Sequence, residues 1–520
     1  MSPDRRSSKS LPASTFAFLL STANLLLYHY PLLAFGVVNI DYLSWNGVMT
    51  LITVAVIVWV TTSMMLLVLT LVSVLAVKAF SVVAVFGNAL ALYFITTYQV
   101  ILDKSMMGNV LDTRADESLE LLPVGLAAWI VLLGVAPAWL IVRTVVRSPG
   151  RFRLLVHIVG CGILLCAFIY INASTSLWID KHSKRIGGMI LPWSYLINTA
   201  RLQADRSRGD VKQKLLPDIL SSTDEPSVVV LVIGETARAS NFSMYGYERQ
   251  TNPQLAETGA IALPDATSCS TYTTASLHCM LSHDGGRSGP YEPLPSYLQR
   301  SGVDVVWRAN NWGEPRIDVE TYQKAAELRA ICAEVNCDHD EVLLTGLVER
   351  IRASDKKKVF VVLHTKGSHG PSYSKRYPEA FSVFTPVCES VELDKCTAEE
   401  LINAYDNTIL YTDHLLRLTI ERLETLTDVP SLMMYVSDHG ESLGEYGLYL
   451  HGTPYTLAPD VQKQIPFVIW MSPAFRESRN VEDERFTRGT VSHDNVFHSV
   501  MGALGISSGV YDESRDIFVR

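Results

Sequence analysis

Charge is scarce in this chain. Of its 520 residues, 19% are Asp, Glu, Lys or Arg, below the ~25% of an ordinary soluble protein. The shortage is local: between residues 47 and 100 the only charged side chain is Lys78. An excess of basic residues is lacking too, since 44 Lys and Arg stand against 53 Asp and Glu, a net charge of −9. A nucleic-acid binder needs a basic face for the phosphate backbone, so no nucleic-acid partner is expected. No pair of the eight cysteines is spaced Cys-x-x-Cys, which argues against a structural zinc ribbon. Beyond about residue 175 there is no further long apolar run.

What is present at the start is therefore membrane-like, and the mean hydropathy is +0.18. Apolar runs at Thr15–Val38, Gly47–Val77, Ala79–Val100, Leu122–Val146 and Leu154–Ala173 each reach the roughly 20 residues that cross a bilayer. The first lacks a small-residue cleavage pattern and is read as a retained helix, not a signal peptide. The stretch from Gly47 to Val100 is divided at Lys78. Five crossings put Arg5, Arg6, Lys9, Lys78, Arg143, Arg147, Arg151 and Arg153 on one side, the cytoplasmic one by the positive-inside rule, so everything after Ala173 lies outside. Cys161 and Cys166 fall in the fifth run as membrane thiols. The other six come as local pairs, Cys269/Cys279, Cys332/Cys337 and Cys388/Cys396. They suggest disulfides in an oxidising compartment, although sequence alone leaves the pairing open.

Three regions follow. Residues 1–175 form a five-span transmembrane domain with an outer loop at 98–121, residues 176–226 an interfacial helix and linker, and residues 227–520 a catalytic domain. Trp193 and Tyr195, interleaved with Lys181, Lys184, Arg185 and Arg201, suit a helix at head-group depth. In the third region, strand-like runs at Val303–Trp307, Val359–Leu363, Leu432–Val436 and Phe467–Trp470 alternate with helical patterns at Asp340–Ala353 and Ala398–Leu423. That alternation predicts a mainly parallel sheet covered on both faces.

Chemistry concentrates at two strand ends. Val228–Ile233 is a doubly buried strand by its β-branched content, and it delivers Glu235 and Thr236 to the carboxyl edge of the sheet, where ligands bind in open α/β folds. A second apolar strand ends in Asp438-His439-Gly440. One imidazole with three oxygen ligands, Glu235, Thr236, Asp438 and His439, suits Zn²⁺. No histidine near Thr236 in sequence can be taken as its base. A metal that stabilises the alkoxide would make Thr236 the nucleophile. His369 and His451 lie in loops after strands, where substrate-handling residues gather.

Gly234-Glu235-Thr236-Ala237-Arg238, Asn241-Phe242-Ser243, Tyr245-Gly246-Tyr247, Ser437-Asp438-His439-Gly440-Glu441-Ser442-Leu443-Gly444-Glu445 and Tyr449-Leu450-His451-Gly452 resemble the phosphoethanolamine transferases of Gram-negative envelopes. The lipid A-modifying members, including the mobile colistin-resistance group, are the most similar. The resemblance implies an alkaline phosphatase or sulfatase-like α/β/α sandwich in the periplasm of a multi-pass inner-membrane protein. It also implies Zn²⁺, phosphatidylethanolamine as donor, lipid A phosphate as acceptor, membrane lipids as surroundings and a covalent intermediate on threonine. The outcome for the cell would be polymyxin resistance.

Asn109, Thr113 and Glu117, which recur every four residues and so share a helical face, become donor-binding residues by the same resemblance. His369 and His451 become phosphate or second-zinc ligands, while His283, His364, His493 and His498 gain no role beyond support. Asn403–Thr408 also matches the family but is read as structural. One departure stands out: the segment His283–Pro293 is short and lacks the lysine expected near the donor phosphate, with Arg287 as substitute. That leaves another envelope glycan or protein as acceptor, or a membrane-anchored hydrolase, as the alternatives. A monomer is expected.

Overall fold

The computed structural model describes residues 10–40, 43–112, 124–147, 150–171, 178–179, 182–209, 213–333, 336–481, 483–487 and 489–519. It divides into two compact units, Met1–Asp205 and Arg206–Arg520.

The first unit is helical. α1 (Ala13–Tyr28) and α2 (Tyr30–Asn39) meet at 62°, so the single span expected at Thr15–Val38 is a bent pair. Pro31 lies in the first turn of α2, where its missing N–H costs nothing. α3 (Trp45–Val72) and α4 (Val74–Tyr98) are long enough to cross a bilayer. The break between them falls at Ser73, not at Lys78. Ser73 Oγ accepts from Ala76 N at 2.9 Å and caps α4, a local bond that starts a helix. Lys78 instead sits within α4 and donates to the carbonyls of Val142 (3.1 Å) and Thr144 (2.6 Å), where a helix end leaves oxygens unpaired.

α5 (Lys104–Asp112) follows in the loop. α6 covers Val124–Trp129, a π segment at Ile130–Val135, and Ala136–Arg143, and α7 is Arg151–Ile171. Of the proposed donor-binding residues, Asn109 lies on α5, while Thr113 and Glu117 lie outside the described residues.

The segment read as an interfacial helix and linker forms α8 (Ser183–Met189) and α9 (Trp193–Gly209), and its middle enters the helical unit. Leu191 is fully buried. Its N–H donates to His29 Nε2 (3.1 Å), its carbonyl accepts from Asn24 Nδ2 (2.9 Å), and Tyr195 Oη donates to Asn88 Oδ1 (2.9 Å). Buried polar groups of a membrane unit need such partners, and this set fastens the segment to α1 and α4.

The second unit is built on a seven-stranded sheet. Its strands are β1 (Ser227–Gly234), β2 (Ile261–Ala262), β3 (Asp304–Ala309), β4 (Thr321–Lys324), β5 (Lys358–His364), β6 (Ser431–Ser437) and β7 (Phe467–Met471), in the order β2-β7-β6-β1-β5-β3-β4. Pairing is parallel from β6 through β4, and antiparallel where β7 meets β6 and β2.

Alternation along β1 explains both layers. Val229, Leu231 and Ile233 face α10 (Thr273–Met280) and α12 (Asp494–Ala503), while Val228, Val230 and Val232 face α11 (Ala398–Glu424). Six consecutive residues with 2% exposure or less are what a strand covered on both faces requires. α11 starts at a capping box in which Thr397 and Glu400 bond each other's backbone N–H. The helical pattern at Asp340–Ala353 is split by Gly346 into a 3-10 turn and the short helix Leu347–Arg352.

Candidate active site

Two strand tips meet because β1 and β6 are parallel neighbours with Gly234 opposite Ser437. Asp438 N–H donates to the Gly234 carbonyl (2.9 Å), Thr236 N–H to Asp438 Oδ1 (3.0 Å), and Ala237 N–H to Ser437 Oγ (2.9 Å). Gly234 is required here, since a Cβ would lie 2.5 Å from the Tyr435 hydroxyl. The loop after β5 closes over the same point. Gly367 adopts φ +48° with a would-be Cβ 2.8 Å from the Glu235 carbonyl, and Ser368 N–H donates to that carbonyl at 2.9 Å.

Glu235 is the centre of the cluster and is fully buried. Its Oε1 accepts from Thr236 Oγ1 (2.6 Å) and its Oε2 from Asn311 Nδ2 (2.7 Å), and Thr273 Oγ1 lies 3.2 Å from Oε2. His439 is equally buried. Its Nδ1 is 2.9 Å from the Gly440 carbonyl, which can only accept, so Nδ1 carries the proton and Nε2 keeps a free lone pair. That nitrogen faces Asp438 Oδ2 (3.2 Å), Thr273 Oγ1 (3.4 Å) and Glu235 Oε1 (3.6 Å).

Three of the groups, Glu235, Asp438 and His439, thus converge as bases. Burial first, then the charge of Asp438, raises Glu235 to a pKa of about 7. Burial raises Asp438 to about 6 and lowers His439 to about 3.

The chemistry of this donor set fits a divalent cation. Asp438 Oδ2 is buried with no hydrogen-bond donor, and two carboxylates face the imidazole lone pair at 3.2 and 3.6 Å. Buried carboxylates are expensive unless paired or bound to metal. One nitrogen with oxygen ligands suits Zn²⁺, and Glu235, His439 and His451 present ligand atoms within 4.8 Å of one another. A second such group, Cys269, Cys279 and His493, has no free thiol to offer, because those cysteines form a disulfide.

His451 follows a hairpin of Ser442–Leu443 and Tyr449–Leu450, with its ring 4.3 Å from that of His439 and 5.8 Å from that of His369. Burial alone would lower its pKa. Glu441 Oε2, 3.2 Å from Nδ1, outweighs this with help from Glu235 and Asp438 and raises it to about 9. His369 has no such acid beside it, and burial with Lys366 and Arg376 nearby holds it well below the usual histidine range. The two loop histidines therefore offer one cationic and one neutral ring.

Two threonines flank the centre, and they differ. Thr236 is fully buried at φ +59°, its hydroxyl donates to Glu235, and its carbonyl accepts from Tyr405 Oη at 2.7 Å. Thr273, which the motif reading passed over, is the first residue of α10 and is 9% exposed. The disulfide Cys269–Cys279 brackets it, and His493 joins that disulfide to β6 through Ser437, with Nε2 2.9 Å from the carbonyl. The signal available in sequence was a Thr-rich run between two cysteines, Thr271, Thr273 and Thr274. Asn311, the amide on Glu235, had no sequence signal.

The other disulfides are Cys332–Cys337 and Cys388–Cys396, with Cys161 and Cys166 free. Arg287 is paired with Asp494 at 2.5 Å, so the substitute considered for a donor-site lysine has its own partner. The family-like stretch on α11 acts from behind. Tyr405 Oη accepts from Arg238 N–H, Asp406 accepts from Asn241 and Tyr247, and Thr408 Oγ1 donates to Ser368 Oγ.

Comparison with known proteins agrees with this architecture. Residues 227–506 match the family described as Sulfatase, and residues 60–206 the one described as Phosphoethanolamine transferase EptA/EptB. Phosphoethanolamine transferase EptA of Helicobacter pylori is 41% identical over 424 residues, 80% of each chain. Phosphatidylethanolamine transferase Mcr-1 of Escherichia coli is 34% identical over 88% of this chain and 89% of its own. Among solved structures, the integral membrane protein lipooligosaccharide phosphoethanolamine transferase A of Neisseria meningitidis covers 98% of both chains at 31% identity and a TM-score of 0.89.

Proposed function

Because the chain belongs to the EptA/EptB phosphoethanolamine transferase family, we propose that it moves phosphoethanolamine from phosphatidylethanolamine to a lipid A phosphate. The transfer takes place on the periplasmic side of the bacterial inner membrane, with the amino terminus in the cytoplasm. The related proteins named for phosphatidylethanolamine and for lipooligosaccharide support donor and acceptor. The positive-inside count supports the orientation. Retained from the sequence is the division into residues 1–175, 176–226 and 227–520, with Asn109, Thr113 and Glu117 assigned to donor binding.

The observation that carries the reaction is the Thr273 hydroxyl, within 3.4 Å of both Glu235 and His439 at the start of α10. Glu235, Asp438 and His439 would hold Zn²⁺, which when bound supplies the Lewis acidity that makes a threonine oxygen nucleophilic at neutral pH. Thr273, not Thr236, is the better placed nucleophile. Its residue keeps 9% exposure, against none for Thr236, and it stands at a helix N-terminus, where developing negative charge is stabilised. The Thr236 hydroxyl is sealed behind the carboxylate it serves.

In the first step Thr273 Oγ1 passes its proton to Glu235, the acceptor 3.2 Å away, and attacks phosphorus, and the bond to the glycerol oxygen breaks. Cationic His451 faces the phosphoryl oxygens and gives the leaving oxygen its proton, releasing diacylglycerol. Phosphoethanolamine is then carried on Thr273. An acceptor phosphate oxygen attacks the same phosphorus, and Thr273 Oγ1 leaves and regains a proton. Each transfer replaces anionic character on lipid A with an ammonium, which weakens the electrostatic attraction of cationic peptides such as polymyxin.

The test is an acceptor assay. Purified protein with phosphatidylethanolamine and lipid A is expected to yield lipid A carrying one added phosphoethanolamine by mass spectrometry. Diacylglycerol release at the same rate without acceptor would replace the transferase with a hydrolase. Unmodified lipid A alongside modified core glycan would change the acceptor.

A further inference from the structure

The loop after β3 carries an acid that the reaction above does not use. Asn311 Nδ2 holds Glu235, and a Cβ on Gly313, at φ +109°, would lie 3.2 Å from the Thr273 methyl and 3.3 Å from that of Thr274. The loop therefore runs against the nucleophile, and Glu314 is its next residue. Glu314 Oε1 accepts from Tyr322 Oη at 2.6 Å. Its Oε2 is buried with no hydrogen-bond partner, and the ionisable group beside it is His364, whose Nδ1 lies 3.8 Å away.

His364, at the end of β5, is fully buried with both ring nitrogens unpartnered, and Trp307 Nε1, also without a partner, belongs to a ring 6.0 Å from it. Burial holds the His364 ring neutral, with a pKa of about 3, so it does not offset the charge of Glu314. Native interiors leave few buried polar atoms unmet, and a group of them next to reacting atoms marks the place of a missing partner. Two other buried carboxylates of this unit, away from the Glu235 cluster, do find their donors. Asp413 takes the N–H groups of Gln254 and Leu255, and Glu292 takes Arg300 and Leu216 N–H.

The missing partner is a small cation. Glu314 Oε2 and the unprotonated nitrogen of His364 are both acceptors, and a primary ammonium is a compact donor of three N–H groups. We infer that Glu314, with His364 beside it, receives the ammonium end of the phosphoethanolamine whose phosphorus is attacked by Thr273. The site selects the head group: a glycerol or a quaternary choline brings no N–H donor to this acid. Tyr322 positions the carboxylate by holding its other oxygen.

The inference rests on the proposed transfer, and one experiment separates the two. Full-length protein in detergent micelles is given acyl-labelled phospholipids with ethanolamine, N-methylethanolamine, choline or glycerol head groups, and diacylglycerol release is followed for wild type, Glu314→Gln and Tyr322→Phe. For wild type, kcat/KM is expected to fall as methyl groups replace N–H donors. Glu314→Gln is expected to reduce the ethanolamine-to-glycerol ratio of kcat/KM roughly 10- to 100-fold, the factor for losing one charge-assisted hydrogen bond. Tyr322→Phe is expected to reduce it less.

A ratio preserved in Glu314→Gln overturns the inference, whatever the absolute rates, and means that the cluster holds only water. Equal wild-type turnover of choline and ethanolamine lipids overturns it without any variant. Wild-type protein that releases no diacylglycerol from phosphatidylethanolamine overturns the transfer itself.

Discussion

Replacing each of the two threonines in turn separates the two nucleophile assignments. Thr273→Ala removes the oxygen proposed to form the phosphoenzyme, and losing a nucleophile costs on the order of 10³-fold or more in kcat. Thr236→Ala keeps that oxygen but deletes the donor 2.6 Å from Glu235 Oε1. A hydrogen bond to a charged group is worth about 1.5–3 kcal/mol, which if felt fully in the transition state is roughly 10- to 150-fold. Alanine at φ +59° adds little, because threonine already bears the strain of the left-handed region. The two variants therefore differ by at least about an order of magnitude in the expected direction. The assay is diacylglycerol release from labelled phosphatidylethanolamine, paired with acid quench, proteolysis and mass spectrometry of the adduct-bearing peptide. The adduct is expected on Thr273 in wild type and in Thr236→Ala, and on serine in Thr273→Ser. An adduct mapped to Thr236, or a Thr273→Ala variant turning over within tenfold of wild type, would refute the assignment.

Metal removal should stop both half-reactions, and Glu235→Gln, Asp438→Asn and His439→Ala should each lower bound zinc as measured by elemental analysis of the purified protein. Full zinc in all three would show that the ion sits elsewhere. A third expectation concerns pH. Burial raises Asp413 to a pKa of about 7 against the opposing bonds from Leu255 and Gln254 N–H, so the folded state binds its proton more tightly than the unfolded chain. Its contribution is then most favourable at low pH, and stability falls between about pH 4 and pH 7 by up to ~1.4 kcal/mol per unit. Asp413→Asn should remove that slope at a constant cost of about 1 kcal/mol for the lost second acceptor. Thermal midpoints of the two proteins that stay parallel from pH 5 to pH 7.5 would contradict this.

The fold was legible in the sequence wherever a run of residues had only one environment open to it. Val228–Ile233 could only be a strand covered on both faces, and the four downstream strands fell within a few residues of their observed ends for the same reason. The membrane helices were legible as total apolar length but not as boundaries. Lys78 looked like a break because charge is costly in a bilayer. Two helix-end carbonyls satisfy it instead, while the uncharged Ser73 makes the cap. Hydropathy carries no term for a partner 64 residues away. Likewise the stretch after Met189 read as interfacial because its Trp, Tyr and Arg content is ambiguous. Its anchoring depends on His29, Asn24 and Asn88, each unremarkable on its own helix.

Part of the site was legible for a different reason, and the choice between the two threonines shows where that reason stops. Glu235, Asp438 and His439 follow strands, and parallel strands in one sheet end on one edge, so placing them together needed no knowledge of loops. Choosing a nucleophile by sequence proximity to Glu235 assumed that a neighbour in the chain is a neighbour in reaction geometry. At a strand end the chain turns, and Thr236 at φ +59° swings its hydroxyl back onto the carboxylate that precedes it, with Tyr405 behind its carbonyl. An oxygen so enclosed is placed to serve the carboxylate from within. The proposed nucleophile is the first residue of a helix brought in from outside the sheet, fixed by a disulfide at its far end and by the His493 bridge to β6. Such a residue carries no strand-end signature. What singles it out is two distances to groups far away in the chain, to Glu235 and to His439. Glu314 was missed for the same reason: the isolation of its Oε2 from any donor exists only once β3, β5 and the loop between Asn310 and Arg316 are folded together.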